Sequence, residues 1–100
     1  MTVRIQLAAE KDLQLLLPLV KSYHQFEGID TTDAHRVKSV YNLLSAPLLG
    51  CIAIILVHAQ YVGYIALTFG YSIEFGGRDA FTDEFYYNLS SVVKGWASKP

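Results

Sequence analysis

The chain has 100 residues, 52% of them hydrophobic and 17% charged, with eight Lys and Arg against nine Asp and Glu for a formal charge of −1. That length holds one domain, the apolar content excludes intrinsic disorder, and the balanced charge offers no cationic surface for nucleic acid. A single cysteine, Cys51, excludes a disulfide framework and a multi-thiolate metal site, leaving a small, unusually apolar domain of a reducing compartment, read as cytoplasmic.

The first element is a strand over Thr2–Leu7, where Val3, Ile5 and Leu7 alternate with Thr2, Arg4 and Gln6 as in a half-buried strand. Glu10 to Phe26 then places Leu13, Leu16, Leu17, Val20 and Tyr23 or His24 at helical spacing, and Gly28 terminates that helix. Pro18 lies inside the pattern and is expected to kink or divide the helix near Leu17. Thr31 or Thr32 caps a second helix with Asp33 in its first turn, an apolar stripe of Val37, Val40, Tyr41 and Leu44, and Pro47 as its stop.

Two strands follow, Gly50–Val57 and Tyr61–Ser72, joined by His58-Ala59-Gln60, a link without the Asn-Gly or Asp-Gly of a tight hairpin. Gly76-Gly77 marks a turn before a last strand, Phe81–Tyr87. Strict alternation puts Phe81, Asp83, Phe85 and Tyr87 on one face of it and Thr82, Glu84 and Tyr86 on the other. The fold class is therefore α+β, strand-helix-helix followed by an antiparallel three-stranded meander, in a single domain 1–100.

Between Lys38 and Glu74 there is no Lys, Arg, Asp or Glu. The longest clean apolar run, Leu48 to Val57, has ten residues, half of what a membrane helix needs, and its Ile-rich composition suits a strand buried on both faces. No membrane partner is expected.

Few residues carry chemistry. His24, His35 and His58 share no ligand spacing with each other or with Cys51, so no metal site is expected. Glu74, Asp79, Asp83 and Glu84 crowd the C-terminal third with Arg78 among them, either an attraction for an amine or a solvated loop with a local ion pair. Asp83 and Glu84 fall inside a strand, on opposite faces, so they are not expected to share a site. One of them enters a partly buried environment, where it is equally a tuned general base or a structural carboxylate.

The segment from Val62-Gly-Tyr to Asp83-Glu-Phe-Tyr86, with Arg4-Ile-Gln-Leu-Ala-Ala and Asp12-Leu13 before it, resembles the GNAT superfamily of acetyl-CoA-dependent N-acetyltransferases over residues 2–87. The resemblance implies that Glu84 is the general base that deprotonates an ammonium. It implies that backbone groups of Phe85, Tyr86 and Tyr87 pair with the pantetheine arm of acetyl-CoA, and that Tyr23, Phe26, Tyr71, Glu74 and Arg78 border the acceptor. The family's pyrophosphate loop falls on Val92-Val-Lys-Gly-Trp-Ala97, where Lys94, Gly95, Trp96 and Ala97 would meet phosphates. Val92 and Val93 replace residues that favour that loop.

A member of the family would continue past Pro100 with a helix, a partner strand for the cleft and the group that protonates the departing thiolate. The resemblance therefore implies a truncated N-terminal part. Two functions follow: an N-acetyltransferase acting on a primary amine, incomplete as one chain, or an inactive relative serving as an oligomeric or partner-binding module. With no strand beyond it, Phe81–Tyr87 is an exposed aromatic edge, and a homo-oligomer formed through it is expected.

Overall fold

A computed structural model describes residues 2–88. The elements are β1 (Val3–Leu7), a 3₁₀ turn (Glu10–Asp12), α1 (Leu13–Glu27), α2 (Asp33–Ser45), β2 (Gly50–Val57), β3 (Gln60–Ser72) and β4 (Gly77–Tyr87). They form one antiparallel sheet in the order β1-β2-β3-β4, with both helices on one face. This is the α+β arrangement expected from the sequence, with β4 four residues longer at its start. Among the described residues no helix is long and apolar enough to cross a membrane.

Local chemistry accounts for the boundaries. Asp12 accepts from the Ala9 backbone N–H at 2.9 Å and opens the 3₁₀ turn. Gly28 takes a left-handed φ of 70°, and the N–H of Ile29 returns to the His24 carbonyl at 2.8 Å, closing α1 as only a residue without Cβ does cheaply. The Thr32 hydroxyl accepts from His35 N–H at 3.0 Å and caps α2. Pro18 does not divide α1: the helix is continuous, because Leu16 and Val20, one turn apart around it, are both buried against the sheet.

The core lies between helices and sheet. Leu16, Val20 and Val40 pack on Ile52, Ile54 and Leu56 of β2 and on Tyr64 and Ala66 of β3. Three expectations about faces are corrected. Val3, Ile5 and Leu7 pair with Val57, Ile55 and Ala53, on the side away from the helices, and are 53%, 65% and 68% exposed. The apolar side of β1 is thus its open side.

In α2, Val37 and Tyr41 are exposed while Arg36 and Val40 turn inward. The helix is rotated from the apolar stripe because Arg36 has polar partners inside, described below.

In β4, Ala66 pairs with Glu84 but Leu67 pairs with Thr82, so Asp83 is the extra residue of a β-bulge. The bulge carries Phe81 to the face of Glu84 and Tyr86, and Thr82 to the face of Phe85 and Tyr87.

Candidate functional site

The site is built where α1, α2, β3 and β4 converge. Tyr64, at the centre of β3, is fully buried, and its hydroxyl donates to Glu84 Oε1 at 2.7 Å. His24 lies two turns beyond Leu16 and one beyond Val20, so it continues their inward stripe and reaches Glu84 Oε2 through Nε2 at 2.8 Å. The guanidinium of Arg36, 6% exposed, donates from Nε to His24 Nδ1 at 3.1 Å and from Nη1 to Asp33 Oδ1 at 2.6 Å. Lys21 approaches the same Asp33 oxygen at 3.5 Å.

This chain fixes the imidazole. Arg36 can only donate, so Nδ1 is the acceptor and the ring hydrogen sits on Nε2, aimed at Glu84. Glu84 accepts from two side chains, one per carboxylate oxygen, and its plane is held by both. One helix and two strands meet at the carboxylate, and α2 joins them through Arg36 and His24.

Burial, then the hydrogen bond to Glu84, hold the Tyr64 phenol well above its usual range. The Tyr23 phenol is also raised, by desolvation first and then by the carboxylates of Glu27, Glu84 and Asp83. Both remain neutral donors under ordinary conditions. The Tyr23 ring meets Tyr64 and Tyr86 edge-on, with centroids 6.2 and 6.0 Å away.

Two concavities flank Glu84. One, of about 310 Å³, runs between the helices and the sheet; its floor includes Val20, Val40, Ile52 and Ala66, and its polar lining holds the carboxylates of Asp83 and Glu84 together with His24, His35 and the Arg36 guanidinium. The bulge thus brings both carboxylates to one cleft, against the strict alternation read from the sequence. The other, of about 410 Å³, is lined by Tyr23, Phe26, Glu27 and the stretch Phe85 to Asn88. The arrangement can accept protons or hydrogen bonds from a cationic group at the first cleft while an extended molecule lies along β4.

Of the residues singled out from the sequence, Glu84, Phe85, Tyr86, Tyr87, Tyr23 and Phe26 come together here. Tyr71, Glu74 and Arg78 do not: they belong to the far end of the β3–β4 hairpin, where Arg78 donates to the Leu48 carbonyl at 2.9 Å and stacks over Phe69. Lys94, Gly95, Trp96 and Ala97 lie outside the described residues. His24, Arg36 and Tyr64 were not singled out, although the four-residue spacings Leu16-Val20-His24 and Arg36-Val40 carry the signal for two of them. Among the described residues no group of three or more His, Cys, Asp or Glu could hold a metal ion.

The sheet, the paired helices and the bulged fourth strand define a partial GNAT-like acetyltransferase fold. No family model and no curated protein matches the sequence. Solved structures do. An integron cassette protein from the mobile metagenome of Cole Harbour Salt Marsh matches with TM-score 0.78 and 28% identity, over 93% of this chain and 69% of its own. A possible acetyltransferase from Clostridium difficile 630 matches with TM-score 0.75 and 19% identity over 100% of this chain and 74% of its own. A protein from Clostridium acetobutylicum described as a predicted acetyltransferase, solved with acetyl-CoA, matches with TM-score 0.70 and 22% identity over 97% of this chain and 67% of its own. The chain spans about two thirds to three quarters of the length of these neighbours.

Proposed function

We propose that this chain is the Glu84-bearing part of an N-acetyltransferase that moves an acetyl group from acetyl-CoA to a primary amine in the cytoplasm. The observation that carries the reading is the Glu84 carboxylate, positioned by Tyr64 and His24 between a cleft shared with Asp83 and the outer edge of β4. Acetyl-CoA bound to one structural neighbour supports the donor.

In this reading the cleft receives the ammonium beside Asp83 and Glu84. Glu84 takes one proton, directly or through water, and the freed amine attacks the thioester carbonyl. The C–N bond forms, the C–S bond breaks, and the thiolate leaves to be protonated. Backbone groups on the outer edge of β4 at Phe85 and Tyr87 hold the pantetheine arm as an added strand and polarise the thioester carbonyl, while those of Tyr86 between them face β3. Lys94, Gly95, Trp96 and Ala97 supply the phosphate contacts.

Titration calorimetry with acetyl-CoA tests this: saturable heat in the wild type, retained in Glu84→Gln while acetylation of an amine panel is lost, is the expected result. No heat at millimolar acetyl-CoA refutes it.

A second reading rests on another observation. Among the described residues β4 pairs only with β3, and Phe81, Phe85 and Tyr87 along it are exposed. A non-catalytic module would use that edge to pair with another copy of the chain. Light scattering of a Tyr87→Pro variant, which removes a backbone donor from the outer edge because Asn88 N–H of the other parity is the one that bonds to Val62 of β3, would show the pairing lost.

A further inference from the structure

One anchor would not fix Glu84. Tyr64, donating to Oε1 at 2.7 Å, holds one end of the carboxylate and leaves it free to turn about its last side-chain torsion, which in Glu is broad. His24 removes that freedom by donating to the other oxygen at 2.8 Å, and is itself held by Arg36, whose Nε donates to Nδ1 at 3.1 Å. All three side chains are four-fifths buried or more, so water competes little for these bonds.

We propose that His24 and Arg36 are a positioning pair for the base: His24 fixes the plane of the Glu84 carboxylate, and Arg36 selects the imidazole tautomer that does so. The proposal rests on Glu84 acting as the base in acetyl transfer. In a neutral imidazole one nitrogen donates and the other accepts. With its hydrogen on Nδ1, His24 would turn a lone pair on the Glu84 carboxylate and an N–H on the Arg36 N–H, and both bonds would be lost together. Arg36 has no acceptor atom and permits only the Nε2–H form.

The same geometry excludes His24 as a proton acceptor. Nε2 carries the hydrogen given to Glu84 and Nδ1 is taken by Arg36, so the ring has no vacant nitrogen. The proton that the ammonium gives up goes to a Glu84 oxygen, and its electron pair stays on the amine nitrogen for attack on the thioester. His24 and Arg36 act through Glu84 alone.

The inward turn of Arg36 runs against simple burial. Val37 beside it is apolar and left exposed, while the guanidinium is buried, a costly choice unless its hydrogen bonds are met. Asp33 and His24 meet them.

Two variants of His24 separate positioning from structure, because each breaks one bond and keeps the other. In His24→Gln the amide nitrogen lies as many bonds from Cβ as Nε2, so it donates to Glu84 and gives up Arg36. In His24→Asn the amide oxygen stands in for Nδ1 and accepts from Arg36, and Glu84 loses its donor. A general base contributes about 10²–10⁴-fold, so kcat for acetylation of an amine panel should be roughly 10–100-fold lower in His24→Asn than in His24→Gln, with KM for acetyl-CoA unchanged.

The tautomer is read by ¹⁵N NMR of the histidine-labelled chain without ligands at mildly alkaline pH, with the His24 signals identified by their loss in His24→Gln. The Nε2–H form alone is expected in the wild type and in Arg36→Gln, whose amide nitrogen lies as many bonds from Cβ as Nε. A mixture of tautomers is expected in Arg36→Met, and circular dichroism checks each fold.

Equal kcat in His24→Gln and His24→Asn overturns the positioning role. A wild-type ring with its hydrogen on Nδ1, or a tautomer unchanged in Arg36→Met, overturns the selection by Arg36. A wild type that acetylates no amine overturns the assignment of Glu84 as base and this role with it, whereas an active wild type with equal variants overturns this role alone.

Discussion

Glu84 can be replaced in two ways with very different expected costs, and the difference is set by hydrogen-bond arithmetic. In Glu84→Gln the amide oxygen can accept from His24 Nε2–H while the amide nitrogen donates to the Tyr64 hydroxyl, which turns to accept. Every buried polar group keeps a partner. What is lost is the charge-assisted part of two bonds, offset by the smaller cost of burying a neutral group, for a net loss of about 0–1 kcal/mol.

In Glu84→Ala both donors lose their acceptor at once. Tyr64 is fully buried, so its hydroxyl carries the unsatisfied penalty of about 1–3 kcal/mol. His24 is 11% exposed at its side chain and recovers part of its loss from water. With the packing of the removed methylenes, the expected loss is about 2–4 kcal/mol.

Urea unfolding followed by circular dichroism measures both, at unchanged m-value. Two variants within about 0.5 kcal/mol of each other would refute the network, since the argument rests on satisfied against unsatisfied partners.

Other sites give independent checks. His58 and Ala59 both have positive φ, 51° and 63°, in the two-residue turn between β2 and β3, so Ala59→Gly should stabilise by about 0.5–1 kcal/mol in thermal unfolding despite glycine's greater chain entropy. A Cβ on Gly63 would lie 2.1 Å from the Tyr86 carbonyl oxygen and 2.6 Å from Tyr87 Cα; Gly63→Ala should prise β3 from β4 and cost about 3 kcal/mol, read by urea midpoint. The raised Tyr64 phenol predicts alkaline sensitivity. Below about pH 10 folded and unfolded tyrosine are both neutral and its contribution is complete; above it only the unfolded chain releases the proton, so stability falls by up to ~1.4 kcal/mol per pH unit. Tyr64→Phe should flatten that slope between pH 10 and 11.

Much of the architecture was legible because its signals are local. Alternation marks β1, glycine at residue 28 and threonine at residue 32 bound the helices, and the ten-residue apolar run marks a central strand, although β2 is buried on its helix face and only half-buried at Cys51, Ala53 and Ile55 on the other. What failed was orientation. The alternation of β1 says that one side is apolar but not which side meets the helices, and here the apolar side is the open one. The stripe on α2 was misread because Arg36 outranks Val37 for the inward position once His24 and Asp33 supply acceptors. The bulge at Asp83 leaves no mark in the sequence, yet one extra residue decides that Asp83 and Glu84 share a cleft.

The site shows the same limit. Glu84 is visible through the family's pattern, whereas its partners are not: His24 is sixty residues away in sequence and Arg36 acts only through His24. A histidine on an apolar helical stripe is ordinarily read as core. Only the juxtaposition of α1 with β4 turns it into a hydrogen-bond donor with a fixed tautomer.

The two unusual features of this chain, its apolar excess and its buried polar chain, have one cause. A four-stranded sheet with β2 and β3 at its centre presents two apolar faces, and two helices can cover only one of them. On the covered face, the helices bring His24 and Arg36 inward, and their cost of burial is met because Glu84, Tyr64 and Asp33 complete the hydrogen bonds. On the other face, among the described residues, Val3, Ile5, Leu7, Phe85 and Tyr87 are half-exposed or more and the groove between them has no charged lining. β4 divides its residues between the two faces of the sheet, Glu84 and Tyr86 toward the helices and Phe85 and Tyr87 toward the other side. Substitutions of Phe85 or Tyr87 side chains should therefore leave the hydrogen bonds of Glu84 to His24 and Tyr64 intact.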